Sequence, residues 1–322
     1  ITDMLLDCSL DALKGDEVYK EKLQEIENRH LETVRNLLPV KSQSSALSFV
    51  KTKCNEMEDI CNGIFLLREL SARTKDRMCS FGEMISSNII AAALQAENVP
   101  VKWTDSSALI ITDAEHGNAL VNFSVTNKNI VDFIEQNPSP LYIAPGFVSC
   151  SNEGAATTLG RGGSDYSAAI YAAALHASAL EIWTDVSGMM TADPRLVSTA
   201  KIIDSISYRE AMELSHFGAK VIYPPTLLPA MQNGLPVYIK NTFAPQDAGT
   251  LIQNKITEDD SSVTGISSIN NIALLSLEGS GMVGIPGFSK RLFSALAKQK
   301  INVILITQSS SEHSNCVVIV DK

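Results

Sequence analysis

Between 11 and 38 the chain alternates charged and apolar positions with a helical period. Tyr19, Leu23, Ile26, His30, Val34 and Leu37 recur three or four residues apart. That spacing predicts an amphipathic helix with one solvated, charged face. Further helices are expected over 45–73 and over 83–96, where Met84, Ile89, Ile90 and Ala93 face inward. The apolar runs at 107–112 and 141–148 suit buried strands. Small residues over 167–179 suit a closely packed helix. A strand is predicted at 181–186, a glycine-stopped helix at 210–218 and another strand at 237–240. Helices alternating with buried strands predict an α/β layered domain with a mainly parallel central sheet. Ligands in such folds bind at the carboxyl ends of the strands.

The texture changes over 242–262, a stretch rich in Gly, Pro, Gln, Asn, Asp and Ser that reads as a connector. Beyond it the pattern predicts a strand at 271–277, a glycine-rich loop at 278–287 and an amphipathic helix at 288–300. Two strands follow, at 301–307 and 315–320. A βαββ unit of ~60 residues cannot bury both faces of its sheet alone, so a second copy is expected against it. The division expected is a first domain at 1–252, a linker at 253–262 and a second domain at 263–322. Ile1-Thr2-Asp3-Met4 reads like the middle of an element, and the far end stops within a strand-like run; both ends look cut.

Composition narrows the function classes. A net charge of −10 argues against a nucleic-acid surface but leaves room for a local basic pocket. No apolar run reaches the roughly 18–20 residues that cross a bilayer, and no signal-peptide pattern opens the chain. The six cysteines show no C-x-x-C pair and sit mostly among apolar residues, which suits free thiols in a reducing, cytoplasmic setting. The five histidines lack ligand spacing, so a protein metal cage is not expected.

Three patches carry chemistry. Gly160-Arg161-Gly162-Gly163-Ser164-Asp165 packs three glycines, a fixed cation, a hydroxyl and a carboxylate into a turn that opens onto a helix. Unsatisfied N–H groups and Arg161 can hold a carboxylate or phosphate, and Ser164 and Asp165 can meet an ammonium or hydroxyl. The plain alternative is a turn whose Arg and Asp pair with each other. Thr184-Asp185, Gly188 and Asp193-Pro194-Arg195 form the second patch, suited to a nucleotide's ribose, phosphates and metal; alternatively they make an ordinary turn with a surface cation. The third is Phe217-Gly218-Ala219-Lys220, whose lysine suits phosphate or a helix C-terminus.

In this order the patches resemble the aspartate kinases of the amino-acid kinase superfamily, over nearly the whole chain. The resemblance also rests on Ser80-Phe81-Gly82-Glu83, Ile182-Trp183-Thr184-Asp185-Val186, Thr191-Ala192-Asp193-Pro194-Arg195 and Gly249-Thr250-Leu251-Ile252. The C-terminal unit resembles an ACT domain. Leu305-Ile306-Thr307-Gln308-Ser309-Ser310-Ser311-Glu312 looks like the version in aspartate kinases fused to homoserine dehydrogenase. The resemblance implies phosphoryl transfer from ATP, with substrate-bound Mg²⁺, to the β-carboxylate of L-aspartate. Thr2 and Glu83 would contact aspartate, Glu83 through the α-ammonium. Arg161 would clamp the α-carboxylate with Ser164 and Asp165 beside it. Thr184, Asp185, Met190 and Val221 would hold the nucleotide, with Arg195 and Lys220 on its phosphates. Arg161, Asp165 and Lys220 would carry the catalysis. A different acceptor, such as glutamate, and a non-catalytic amino-acid-binding fragment are the alternatives.

Two departures stand out. The family opens with a strand and a Lys-Phe-Gly-Gly loop that has no counterpart here, and a tyrosine usual near the nucleotide is Met190. In the ACT-like unit, effector contacts are expected at Met282, Phe288, Asn302, Ile304 and Gln308. Lysine-inhibited relatives place an acid where this chain has Ile304, so threonine is the expected effector. Pairing through the ACT units implies a homodimer or higher, with no nucleic-acid or membrane partner.

Overall fold

The structure, a computed structural model, describes residues 1–217, 221–254, 263–278, 287–299, 301, 303–309 and 314–320. The chain forms two compact units, Ile1–Ile266 and Ser267–Lys322.

The first unit begins with four helices: α1 (Thr2–Lys14), α2 (Val18–Leu37), α3 (Gln43–Leu67) and α4 (Ala72–Ala96). Their apolar faces converge on one core, in which Leu5, Tyr19, Ile26, Met57, Phe81 and Ile85 are fully or almost fully buried. The helix predicted over 11–38 is two helices. Gly15 adopts a left-handed φ of 77° that closes α1, and the Asp16 carboxylate accepts the Val18 N–H at 3.0 Å to open α2. The next predicted helix stops early because Arg68 takes φ 55°, its guanidinium lying 4.7 Å from the Phe65 ring centroid. Ser71 then caps α4 by accepting the Thr74 N–H at 3.1 Å. Helix α4 therefore starts at Ala72 rather than at 83, and Ser80-Phe81-Gly82-Glu83 lies inside it.

Along the chain follow β1 (Val101–Trp103), β2 (Ile111–Thr112), α5 (Phe123–Gln136), β3 (Leu141–Ile143), β4 (Val148–Ser151), β5 (Ala156–Thr158) and α6 (Gly163–Ala174). Next come β6 (Leu180–Thr184), β7 (Ser205–Ser207), α7 (Tyr208–His216), α8 (Leu227–Gln232), β8 (Val237–Asn241) and β9 (Thr250–Gln253). Strand β1 pairs parallel with β3, β2 parallel with β4, β6 parallel with β8 and β7 parallel with β9. Pairs β4–β5 and β8–β9 are antiparallel, so parallel pairings are in the majority among the described residues of the first unit. The expected single central sheet is distributed over a two-stranded, a three-stranded and a four-stranded sheet, the last in the order β6-β8-β9-β7.

Three local expectations change. Within 107–112 only Ile111 and Thr112 are strand, because the Asp105 carboxylate accepts the Ser107 N–H at 2.9 Å and winds Ser106–Ala108 into a 3-10 turn. The run 141–148 is two strands in different sheets. Pro145 lacks an N–H, and Phe147 at φ 68° redirects the chain. Thr250–Gln253, inside the stretch expected to be a connector, is the strand β9, with Thr250 and Ile252 fully buried. Its turn-rich flanks conceal its alternation. Segment 263–266 packs on the first unit: Thr264 Oγ1 donates to Glu210 Oε1 at 2.7 Å, and the Ile266 N–H to the Thr191 carbonyl at 2.8 Å.

The second unit has the expected βαββ order: β10 (Ile272–Glu278), α9 (Phe288–Lys298), β11 (Val303–Ser309) and β12 (Ser314–Val320). Strand β12 lies between the other two and is antiparallel to both. Leu296, Val317 and Ile319 form its core, while Leu274 and Ile306 stay 67% and 52% exposed.

His30 in α2 is 6% exposed, with Nδ1 2.7 Å from the Ile26 carbonyl, and burial holds its pKa below 6.5. The folded imidazole is thus neutral where the unfolded one takes a proton. Its contribution to stability is present above pH 6.5 and is lost as pH falls below that value. Urea midpoints are expected to drop between about pH 7.5 and about pH 5.5, and His30→Gln is expected to shrink that drop. An equal drop in both proteins would remove His30 from the account.

Candidate functional site

The glycine turn connects β5 to α6. Gly160 and Gly162 both have left-handed φ, 72° and 66°, which suits residues without a Cβ. Helix α6 begins at Gly163, earlier than the composition of 167–179 suggests, so Ser164 and Asp165 belong to its first turn. The Gly163 N–H bonds the Gly160 carbonyl and the Tyr166 N–H the Gly162 carbonyl, both at 3.0 Å. The Ser164 and Asp165 N–H groups are left as the open donors of the helix.

Neighbouring loops clasp this turn closely. A Cβ on Gly160 would lie 2.7 Å from Asn118 Oδ1, and one on Gly163 2.8 Å from Phe147 Cδ2. A Cβ on Gly162 would collide with the Tyr223 side chain. Ser167 locks one side: its Oγ accepts the Phe147 N–H and donates to the Gly163 carbonyl, both at 2.9 Å. Arg161 and Ser164 stand exposed on the outer side, and Arg161 makes no ion pair among the described residues. The alternative of an Arg161–Asp165 pair is therefore not what the structure shows. Asp165 is half-buried, and burial pushes its carboxyl above the ordinary 3.8.

Helix α4 carries a further carboxylate. Glu83 is half-buried, and burial raises its pKa above 4.5. Its neighbour Gly82 backs onto α1, where an added Cβ would meet Ile1 Cγ2 at 3.2 Å. This contact brings the start of α1, with the half-buried Thr2, beside the Glu83 turn. Asp76 precedes Glu83 by seven residues on the same helix face. It is 4% exposed and accepts from Thr158 Oγ1 at 2.6 Å, the Gly117 N–H at 2.9 Å and His116 Nδ1 at 3.0 Å. Sequence reasoning missed it because the helix was expected to begin after it; a lone acid on the buried face of a helix is the signal that could have found it.

The second cluster sits at the carboxyl ends of the parallel strands β6 and β8. Thr184 pairs with Asn241, and Thr184 Oγ1 donates to the exposed Asp185 at 3.2 Å. The loop beyond is fastened to β9: Thr250 Oγ1 accepts the Met189 N–H at 2.8 Å, and Ser187 bonds both Asn241 and Asp247. Met190 is half-buried and bridges to Ile202. Arg195 is turned onto Asp193, with Nη2 2.7 Å from its carboxylate. Those hydrogen bonds hold Asp193 at about 2. Val221 packs at the edge of the core under this sheet. Lys220 lies outside the described residues; Tyr223 sits against Gly162.

In the second unit Met282 and Asn302, and the side chains of Phe288 and Gln308, lie outside the described residues. Ile304 is half-buried in β11 at a shift of pairing register between Val303 and Leu305. Among the described residues no three His, Cys, Asp or Glu side chains meet in a metal-holding arrangement, and no helix is long and apolar enough to cross a membrane. Cys8, Cys54, Cys61 and Cys79 are buried and free, and burial pushes their thiols up to about 11 or about 12.

A mixed α/β unit with a glycine turn at a helix start, followed by a βαββ unit, defines a class as well as a site. The chain belongs to the amino acid kinase family, whose model matches residues 17–241, and it carries an ACT domain matched over 275–322. Within the family its relatives are aspartokinases. It is 34% identical to the chloroplastic bifunctional aspartokinase/homoserine dehydrogenase 2 of Arabidopsis thaliana, over 100% of this chain and 36% of that protein. It spans about a third of the length of this and a second Arabidopsis thaliana bifunctional relative (36%). The structure of Escherichia coli aspartokinase III in complex with aspartate and ADP matches with a TM-score of 0.85 and 32% identity, covering 100% of this chain and 70% of that one. The same enzyme with lysine and aspartate matches with a TM-score of 0.72, covering 99% and 69%.

Gly162→Ala combines an unfavourable φ with the Tyr223 collision, so a loss of roughly 2–4 kcal/mol is expected. Gly63→Ala, inside α3 with open space around it, is expected to gain roughly 0.5–1 kcal/mol. Urea unfolding of the two variants checks both signs.

Proposed function

We propose that the protein is an aspartate kinase, which transfers the γ-phosphoryl group of MgATP to the β-carboxylate of L-aspartate to give 4-phospho-L-aspartate and ADP. The observation that carries this reading is Arg161, without an ion pair among the described residues, beside the open N–H groups of Ser164 and Asp165. That combination suits an α-carboxylate held at two points. The half-buried Glu83 supplies the counter-charge for an α-ammonium, with Thr2 and Ser164 bordering the same substrate and Asp165 available to a second polar group. The aspartate and ADP bound by the E. coli relative support this assignment.

The acceptor needs no general base, because a side-chain carboxylate of pKa ~4 is already ionised at neutral pH. The barrier lies in bringing one anion up to a polyanion, and cations and backbone N–H groups lower it by neutralising charge and fixing an in-line approach. A β-carboxylate oxygen bonds to the γ-phosphorus while the bond to the β,γ-bridging oxygen breaks, and that electron pair leaves with ADP. Thr184, Asp185, Met190 and Val221 hold the nucleotide, and Arg195 and Lys220 serve its phosphates. Arg195 must exchange Asp193 for that role. Mg²⁺ enters with ATP and adds to the charge neutralisation. Arg161, Asp165 and Lys220 are the groups on which catalysis depends.

The ACT domain binds an amino-acid effector. Threonine is favoured over lysine, because an ε-ammonium set against Ile304 would be desolvated without a partner. The exposed apolar residues Leu274 and Leu305, both aligned with Val318 on one face of the second unit's sheet, support pairing with another ACT unit in a homodimer or larger assembly.

Hydroxylamine trapping is expected to show ATP-dependent aspartyl hydroxamate formation. Arg161→Ala should lower kcat/KM for aspartate by about 100-fold, ~3 kcal/mol. Unchanged turnover in that variant would remove Arg161 from the site. Aspartate affinity should fall on acidification at a pH above the ordinary 4.5 of a glutamate, because Glu83 must be ionised and its pKa is raised; Glu83→Gln should lower affinity and flatten this limb. Calorimetric titration should detect threonine and not lysine, and tight lysine binding without a threonine response would reverse the effector assignment.

A further inference from the structure

We infer that Asp76 is the positioning residue of the amino-acid site: it fixes the glycine turn at a set distance from Glu83 and thereby sets affinity for the amino-acid substrate. This rests on the assignment of Glu83 and Arg161 to that substrate.

Asp76 is a carboxylate at 4% exposure with no Lys or Arg paired to it among the described residues. A buried carboxylate persists only where donors replace water. Its three donors come from two segments that meet at the turn. Thr158 Oγ1, at 2.6 Å, lies two positions before Gly160 in the chain. The Gly117 N–H, at 2.9 Å, belongs to the loop that Gly160 touches, since a Cβ there would be 3.0 Å from the Gly117 carbonyl. His116 Nδ1 adds the third at 3.0 Å. The two segments are also tied to each other, with the Ala119 N–H donating to the Thr158 carbonyl at 3.1 Å. Both the root of the turn and the wall behind it are therefore held by one side chain.

That side chain stands on the helix that carries Glu83. Seven residues span two helical turns, about 10 Å along the axis, and return to the same face. Helix α4 thus acts as a rigid spacer between the group assigned to the α-ammonium and the anchor of the turn assigned to the α-carboxylate. An α-amino acid presents those two charges at a fixed separation, so slack in the anchor is felt first as lost amino-acid affinity. A carboxylate that merely satisfies buried donors would, on removal, lower stability without singling out one substrate.

The test uses Asp76→Asn, Thr158→Val and Thr158→Ser in the intact protein. Asp76→Asn and Thr158→Val are expected to raise KM for aspartate about 10-fold or more, with KM for ATP within about twofold of wild type. Thr158→Ser keeps the hydroxyl and should restore near-wild-type values. Amide hydrogen exchange gives a readout that needs no turnover: amides at 158–163 should exchange at least about 10-fold faster in Asp76→Asn and Thr158→Val, with α2 and α3 unchanged. Should Asp76→Asn fail to fold, the Thr158 pair carries both measurements. Equal rises in both KM values, or unchanged exchange at the turn, would overturn the inference. If wild type forms no aspartyl hydroxamate, the aspartate assignment falls, and exchange at the turn still decides whether Asp76 is its anchor.

Discussion

The site depends on close approach of backbone to backbone at the turn between β5 and α6. Gly160 and Gly162 hold left-handed conformations there, with Asn118 and Tyr223 filling the space a side chain would need. That compression lets one short segment present open N–H groups, a guanidinium without an ion pair among the described residues, and a carboxylate from a single helix start. The surrounding architecture supports it from behind. Ser167 ties the helix start to the Phe147 loop, Thr158 ends the strand that feeds the turn, and α4 backs the whole through Asp76.

The two halves of the proposed site are built on different principles. The half assigned to the amino acid is a set of charges on a rigid helix and a locked turn, suited to recognising fixed separations. At the half assigned to the nucleotide, a loop stands at parallel strand ends, fastened through Thr250, Asn241 and Asp247, with Arg195 occupied by Asp193. An arginine already paired with a neighbouring carboxylate can be released when a more highly charged anion arrives, at the expense of one exposed pair worth little in water. The strap at Thr264 and Ile266 touches both α7 and Thr191. The end of the first unit is thus in contact with the elements that frame the loop assigned to the nucleotide.

Much of this was legible in the sequence. The amphipathic period of α2, the βαββ order of the second unit and the family were readable because each rests on a repeated or ordered pattern. What escaped was decided by single residues in unusual conformations. Gly15 and Arg68 divide helices whose apolar period runs on, and Phe147 splits an apolar run between two sheets. Strand β9 was hidden by turn-rich flanks, although Thr250 and Ile252 are fully buried. At the site, the motif residues could be singled out by type. Asp76 offered only the weaker signal of a lone acid on a buried helix face, because its partners lie 40 to 82 positions away in the chain.

The central claim is that a substrate carboxylate attacks the γ-phosphorus. It is tested most directly by tracing oxygen. With aspartate labelled with heavy oxygen in its β-carboxylate, and hydroxylamine present to cleave the acyl phosphate at carbon, mass spectrometry of the released phosphate reports the attacking atom. The released phosphate is expected to carry a labelled oxygen from the β-carboxylate at each turnover. Unlabelled phosphate, released at the same rate with or without aspartate, would contradict it.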